Sequence, residues 1–316
     1  TTSAYVQASG DAHISCGTST CFGNSANDLN LFDEVTLDIK NPTTNIANTI
    51  IFLGSLQANV TFNSSSTISG DLVLTNNVQF ETTANASVNI NGNVALGTSK
   101  TATFFGTSNP GFQRFIINGI VSGDGQVGVD EVRIELHGAN TYTGTTTIQS
   151  GGVIQNFNAT GLGTIAGDTI VENGGSLSGV GNLTIDEDID IEANGNSAFV
   201  GALRNDAGDQ TYTGTISLTG DMSIFAPGPG SIIYFSGDIV GSGDLIMHRD
   251  GFVPGGLIIF NGSGTNSYSG KTIIRGSYLY VARTGGIGVP NDLDILATSI
   301  NNSFVSISDA GGNQIA

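Results

Sequence analysis

The chain of 316 residues sets nine Lys and Arg against 27 Asp and Glu, a net charge of −18, and spends 46 positions on Gly. That acidity would repel a phosphate backbone and excludes nucleic acid as a partner, and no apolar run approaches the roughly 18 residues of a membrane-spanning helix. With 38% hydrophobic residues spread in short regular runs, the chain has the apolar content for a core that disordered chains lack.

From the N-terminus, residues 1–35 read as an irregular region expected to cap the repetitive remainder of the chain. It holds the two cysteines of the chain, Cys16 and Cys21, in CGTSTC. Four residues between them suit a small local disulfide ahead of free thiols, and the pattern is too sparse for a closed zinc site even with His13 nearby. A disulfide would place the chain outside a reducing cytosol. The opening TTSAYVQASG lacks the basic start and apolar centre of a signal peptide. The ending DAGGNQIA is neither an amphipathic cap nor a run of barrel strands, so a processed piece with more sequence after it is expected.

Residues 36–316 are a succession of strand-length pieces: DLVLT from 71, SVNIN from 87, TTTIQ from 145, DTIVE from 168, NLTID from 182, TISLT from 215, DLIMH from 244 and KTIIR from 271. Gly, Asn or Asp bound them, as turns require, and no 3.6-residue period holds for three turns. Leu72 and Val94 occupy like positions at an interval of 94 − 72 = 22, and GGVI at 151 and GGSL at 174 at one of 174 − 151 = 23. That interval is a coil length and predicts an all-β, right-handed parallel β-helix, with some fourteen coils stacked at about 4.8 Å.

A longer phrase recurs. NGIVSGDGQVGVDEVRIELHGANTYTG from 118 is echoed by GDIVGSGDLIMHRDGFVPGGLIIFNGSGTNSYSG from 237, with a weaker copy, GDQTYTGTISLTGD, at 208. The interval from Ile120 to Tyr142 is 142 − 120 = 22 and that from Ile239 to Tyr268 is 268 − 239 = 29, so the second copy is expected to carry seven more, near RDGFVPGG. In TTTIQ, Thr145, Thr147 and Gln149 should face out and Ile148 in. Gly144, Gly151 and Gly152 should turn corners at positive φ. Tyr142 and Tyr268 should lay their rings on an apolar edge with hydroxyls in water.

GANTYTGTTTIQSGGVIQNFNATGLGT and GTNSYSGKTIIRGSYLYVARTGGIGVP resemble the autotransporter-associated β-strand repeat of bacterial type V secretion passenger domains. Both keep N-x-Y-x-G, a Thr-Ile strand and a Gly-rich turn about fifteen residues on; the match covers about 140–165 and 264–290, and the second copy has GSYLYV where Gly-Thr-Leu is usual. The resemblance implies a parallel β-helix exported through an outer-membrane barrel that this chain does not contain, and shown on the bacterial cell surface or secreted.

Chemistry-bearing residues point the same way. In IDEDIDIEA, Ile185, Ile189 and Ile191 would share one face and Asp186, Asp188, Asp190 and Glu192 the other, a solvated row rather than a calcium cage. Asp130, Glu131 and Glu135, or Asp206 and Asp209, could pair as glycosidase carboxylates, but there is no Trp, no basic cluster, and His13, His137 and His248 are scattered. No cofactor is implied and an enzyme is not expected. Phe104, Phe115, Phe225 and Phe235 are expected in the core, whereas Asp250, Phe252 and Pro254 in HRDGFVPGG form a candidate partner-binding loop. The expected function is an adhesin-like passenger that binds a host-cell surface protein or glycan, or copies of itself. An oligomerising secreted toxin is second and a carbohydrate-active enzyme third.

Overall fold

The computed structural model describes residues 7–8, 12–18, 22, 25–41, 44–83, 85–107, 113–192, 195, 201–226, 230–248, 256–296, 303–308 and 314–316. Among them every regular element is a β-strand, and the strands form a parallel β-solenoid of about 11 turns. A uniform coil of the length read from Leu72 and Val94 would give some fourteen. The step between stacked core residues is not uniform: it runs from 134 − 115 = 19, Phe115 to Ile134, up to 115 − 88 = 27, Val88 to Phe115.

Two compact units divide the chain: residues 1–147, 151–154 and 160–167 make one, and residues 148–150, 155–159 and 168–316 the other. In the first unit three parallel sheets are built one strand per coil. One sheet stacks Leu29–Phe32, Ile50–Leu53, Leu72–Leu74, Val94–Leu96 and Val121–Gly123. Another stacks His13–Cys16, Thr36–Ile39, Ala58–Phe62, Val78–Thr82, Thr101–Gly106 and Gln126–Asp130. The third runs from Asn45–Ile46 through Ser87–Ile90 and Arg114–Ile117 to Arg133–Leu136.

Parallel stacking puts like above like. Leu29, Ile50, Leu72, Val94 and Val121 make one buried column, so Leu72 and Val94 are direct neighbours, as their spacing requires. Phe52, Phe80, Phe104, Phe115 and Phe62 follow one another at ring centroid distances of 5.1 to 6.1 Å. Each such side chain removed from water contributes about 1.5–3 kcal/mol.

Glycine corners form ladders for a steric reason. A Cβ on Gly92 would lie 2.0 Å from the Gly70 carbonyl oxygen, one on Gly119 2.0 Å from that of Gly92, and one on Gly138 2.3 Å from that of Gly119. Beside them, Asp71 Oδ1 accepts the Asn93 N–H at 2.7 Å and Asn93 Oδ1 the Ile120 N–H at 3.0 Å. The Gly-Asp and Gly-Asn pairs therefore tie each coil to the next.

Within the repeated phrase, Thr146 and Ile148 are buried and Thr147 faces out, as the alternation implies. Of the three glycines, Gly151 takes positive φ, 80°, while Gly144 is required because a Cβ would meet the Gly125 carbonyl at 2.2 Å. The tyrosines differ from expectation. Tyr142 and Tyr268 are 1% and 0% exposed, and their hydroxyls bond inside the core to Thr146 and Thr272. The block alignment also shifts by one: Asn140 Oδ1 accepts from Val121 N and Asn266 Oδ1 from Ile239 N. Val121, not Ile120, is the partner of Ile239, and the surplus becomes (268 − 239) − (142 − 121) = 8.

The second unit has three parallel sheets as well. Thr169–Val171, Ile189–Ile191, Ile216–Leu218 and Ile239–Gly241 make one. Ser176–Val180, Leu203–Ala207, Met222–Phe225, Leu245–His248, Thr272–Arg275 and Leu293–Leu296 make the next. The third contains Leu183–Ile185, Asp209–Tyr212, Ile232–Phe235, Leu257–Phe260, Tyr278–Val281 and Phe304–Ile307. Phe225 and Phe235 are buried, as expected of core phenylalanines.

Candidate functional site

The third sheet of the second unit has an outer face unlike a solvated strand surface. Its inward residues, Ile233, Phe235, Ile258, Phe260, Leu279 and Val281, are fully buried and fill the core. The alternate positions of a strand facing water should then be polar, as Asn59, Thr61, Gln79 and Glu81 are in the second sheet of the first unit. They are not. Register places Ile232, Leu257, Tyr278 and Phe304 in one outward column and Tyr234, Ile259, Tyr280 and Ser306 in the next.

Each of these side chains is at least partly open to solvent, and Phe304 is 57% exposed. The rings of Tyr278 and Phe304 lean together at 6.4 Å and 59°, and with Leu257, Tyr280 and Ser306 they line an open, almost wholly apolar groove. The charged residue nearest in these columns is Asp209, paired with Ile232. Four strands thus offer an uncharged aromatic stripe on a chain of net charge −18. Its signal is present in the sequence, two of its pieces inside phrases quoted above for their repetition: SIIYF, GLIIF and SYLYV, beginning at 231, 256 and 277, are apolar at both alternating positions.

Two of the carboxylates weighed as catalytic groups sit in ion pairs. Glu135 gathers Arg114 at 3.1 Å, Arg133 at 3.5 Å and His137 at 3.5 Å. Asp206 takes a 2.5 Å ion pair from Arg204, a 2.5 Å hydrogen bond from Ser178 and one of 2.8 Å from Gln155. Asp130 is held above the usual carboxylate range by burial and by the charge of adjacent Glu131. His13 lies 2.5 Å from Asp38, and burial with Arg275 nearby lowers the His248 imidazole. Among the described residues no three His, Cys, Asp or Glu side chains gather where they could hold a metal ion.

The acidic stretch alternates as read, with Ile185, Ile189 and Ile191 buried and Asp186, Asp188 and Glu192 exposed. It is two strands with a corner between them, and the same alternation turns Glu187 inward, where it is 4% exposed. Thr169 Oγ1 donates to Glu187 Oε1 at 3.2 Å. Burial pushes the Glu187 carboxyl up to about 8, with Asp168 and Asp188 adding to the rise and the Thr169 bond opposing it. Asp188 Oδ1 meanwhile accepts the Thr215 N–H at 2.6 Å.

Cys16 is buried and disulfide-bonded, while Cys21 lies outside the described residues. So do Asp250, Phe252 and Pro254 of the candidate loop. Of the strands on either side, Leu245–His248 belongs to the second sheet and Leu257–Phe260 to the aromatic one. Compared with known proteins, the chain matches no family model, no curated protein and no solved structure.

Proposed function

We propose that this chain is an adhesive passenger of a bacterial surface or secreted protein of the autotransporter type, binding a host-cell or neighbouring-cell surface molecule. The observation that carries the reading is the aromatic stripe built from Ile232, Tyr234, Leu257, Ile259, Tyr278 and Tyr280. Apolar groups left in water cost free energy that contact with a partner recovers, and contiguous apolar patches mark interaction sites. Tyr adds a hydroxyl to a stiff apolar ring and so suits a protein or glycan surface.

The parallel solenoid and the two N-x-Y-x-G phrases support the passenger reading, the first as an architecture and the second as a resemblance. A stack of parallel coils supplies a rigid frame on which alternate side chains stand in rows. The test is binding of the purified chain to host epithelial cells and to bacteria, with a Tyr278→Ser, Tyr280→Ser double variant alongside. Both side chains are outward, so melting temperature should hardly change while bound protein falls at least about tenfold, the effect of losing about 1.4 kcal/mol. Equal binding by a variant of unchanged melting temperature would remove the stripe from the function.

A further inference from the structure

We infer that the fold selects Asn173 as a modification site, where the side-chain amide converts spontaneously, through a cyclic imide with Gly174, to aspartate and isoaspartate. The inference stands apart from the reading of the stripe as a binding surface.

The chemistry needs an asparagine carboxamide within reach of the next residue's backbone nitrogen, and a glycine there leaves that nitrogen unshielded because it has no Cβ. The Gly174 nitrogen gives up its proton and bonds to the Asn173 Cγ. The Cγ–Nδ2 bond breaks, and ammonia leaves with the electron pair and a proton. Water then opens the imide. Attack at the side-chain carbonyl gives aspartate, and attack at the main-chain carbonyl gives isoaspartate. Either product adds a negative charge, and isoaspartate also inserts a methylene into the backbone.

Asn-Gly stands at 91, 118, 173, 194 and 261, and Asn194 lies outside the described residues. The fold treats the others differently. Gly92 and Gly119 are buried at their corners, with N–H groups directed to the Ile68 and Ile90 carbonyls at 3.5 and 3.4 Å. The side chains of Asn91 and Asn118 are bonded to one another, Asn118 Nδ2 donating to Asn91 Oδ1 at 2.8 Å. Asn261 Oδ1 accepts the Ser236 hydroxyl at 2.7 Å.

Asn173 is exposed, and among the described residues no hydrogen bond engages its side chain, its carbonyl oxygen or the Gly174 N–H. Both ends of the Asn173–Gly174 peptide are therefore unbonded, and the plane can rotate to bring the nitrogen onto the carboxamide. The turn around it stays closed, since Glu172 O accepts from Gly175 N at 2.9 Å. Gly174 takes φ 87°, and a turn with positive φ at its third residue calls for glycine. The labile pair is thus built into the corner between Thr169–Val171 and Ser176–Val180.

Peptide mapping tests this. The intact folded chain is held in warm, mildly alkaline buffer beside a sample unfolded in urea. Both are digested at intervals and read by mass spectrometry with fragmentation that separates isoaspartate from aspartate. In the folded chain the Asn173 peptide should turn acidic at least about tenfold faster than those of Asn91, Asn118 and Asn261, the effect of about 1.4 kcal/mol in barrier. In urea that lead should vanish, because the four pairs then share one flexible backbone. Asn173→Gln, whose extra methylene disfavours the ring, should remove the early product and leave the melting temperature unchanged. Equal rates at the four sites of the folded chain, or a lead by one of the other three, overturn the proposal. So does a lead of Asn173 that persists in urea, since local sequence and not the corner would then set it. Acid at 173 without isoaspartate also overturns it, because water would then have attacked the amide directly.

Discussion

Tyr142 Oη lies 2.6 Å from Thr146 Oγ1 inside the coil, with Tyr142 1% and Thr146 0% exposed. The spacing Tyr-x-Gly-x-Thr is therefore a buried hydrogen-bond pair, and Tyr268 with Thr272 repeats it. In the weaker copy the fourth position after the tyrosine is Ile216, and the buried Tyr212 hydroxyl has no hydrogen-bond partner among the described residues. Stacking of its ring on Phe235 at 5.6 Å is what holds Tyr212 in place.

The three tyrosines should respond differently to loss of the hydroxyl. Thr146→Val removes the buried hydrogen bond between Tyr142 and Thr146 and should cost about 1–3 kcal/mol, whereas Tyr142→Phe with Thr146→Val should recover part of that loss. Tyr212→Phe removes an already unpaired group and should be neutral or stabilising. Urea unfolding of these variants measures this, and a Tyr212→Phe loss as large as that of Thr146→Val would overturn it.

Asn140 and the corner glycines should be intolerant for distinct reasons. Asn140 accepts from Val121 N at 2.8 Å and donates to Gly161 O at 2.6 Å, clamping the coil before to the coil after. Asn140→Ala should cost about 2 kcal/mol or more, since both backbone groups lose a partner. Gly92→Ala drives a Cβ into the Gly70 carbonyl and should cost about 1–3 kcal/mol, as at other overpacked sites. Gly128, where a Cβ would find its nearest neighbour 3.5 Å away, is the control and should accept Ala. Chemical denaturation midpoints of the three variants rank these costs.

Glu187 should make stability fall as pH rises. Its folded value of about 8 exceeds the ordinary value of 4.5, so between these limits the folded state holds a proton that the unfolded state has released. Its contribution is fully present below about 4.5 and is lost as pH climbs through about 8. Glu187→Gln, neutral at every pH, should flatten the slope of denaturation midpoint against pH in that window. An unchanged slope in the variant would show that other groups set it.

Arg283 is fully buried, and its guanidinium donates to Gly237 O, to Asn266 Oδ1 at 2.7 Å and to Asp238 Oδ1 at 3.3 Å. Burial lowers its affinity for a proton and Asp238 restores part of it. Arg283→Ala should cost about 2–4 kcal/mol through lost packing and stranded acceptors. Asp238→Asn should cost about 1 kcal/mol or less, because the Asp238 side chain is 44% exposed. Thermal melts of the two variants compare them directly.

The repeat rhythm by itself determined the solenoid, the inward set of side chains and the coil-to-coil pairing of Leu72 with Val94. Alternation with period two and a recurring coil of 19 to 27 residues are local properties, and parallel stacking turns them directly into columns. Tertiary structure decided what depends on register between coils of unequal length, such as the short step from Phe115 to Ile134 and the long one from Val88 to Phe115. The hydroxyls of Tyr142 and Tyr268 belong in the core only because threonines face them there, and Glu187 is an inward carboxyl only because its corner keeps the alternation of the strands on either side. The stripe is the clearest case. Ile232, Leu257, Tyr278 and Phe304 each come from a different coil, and nothing short of their shared register makes them one surface.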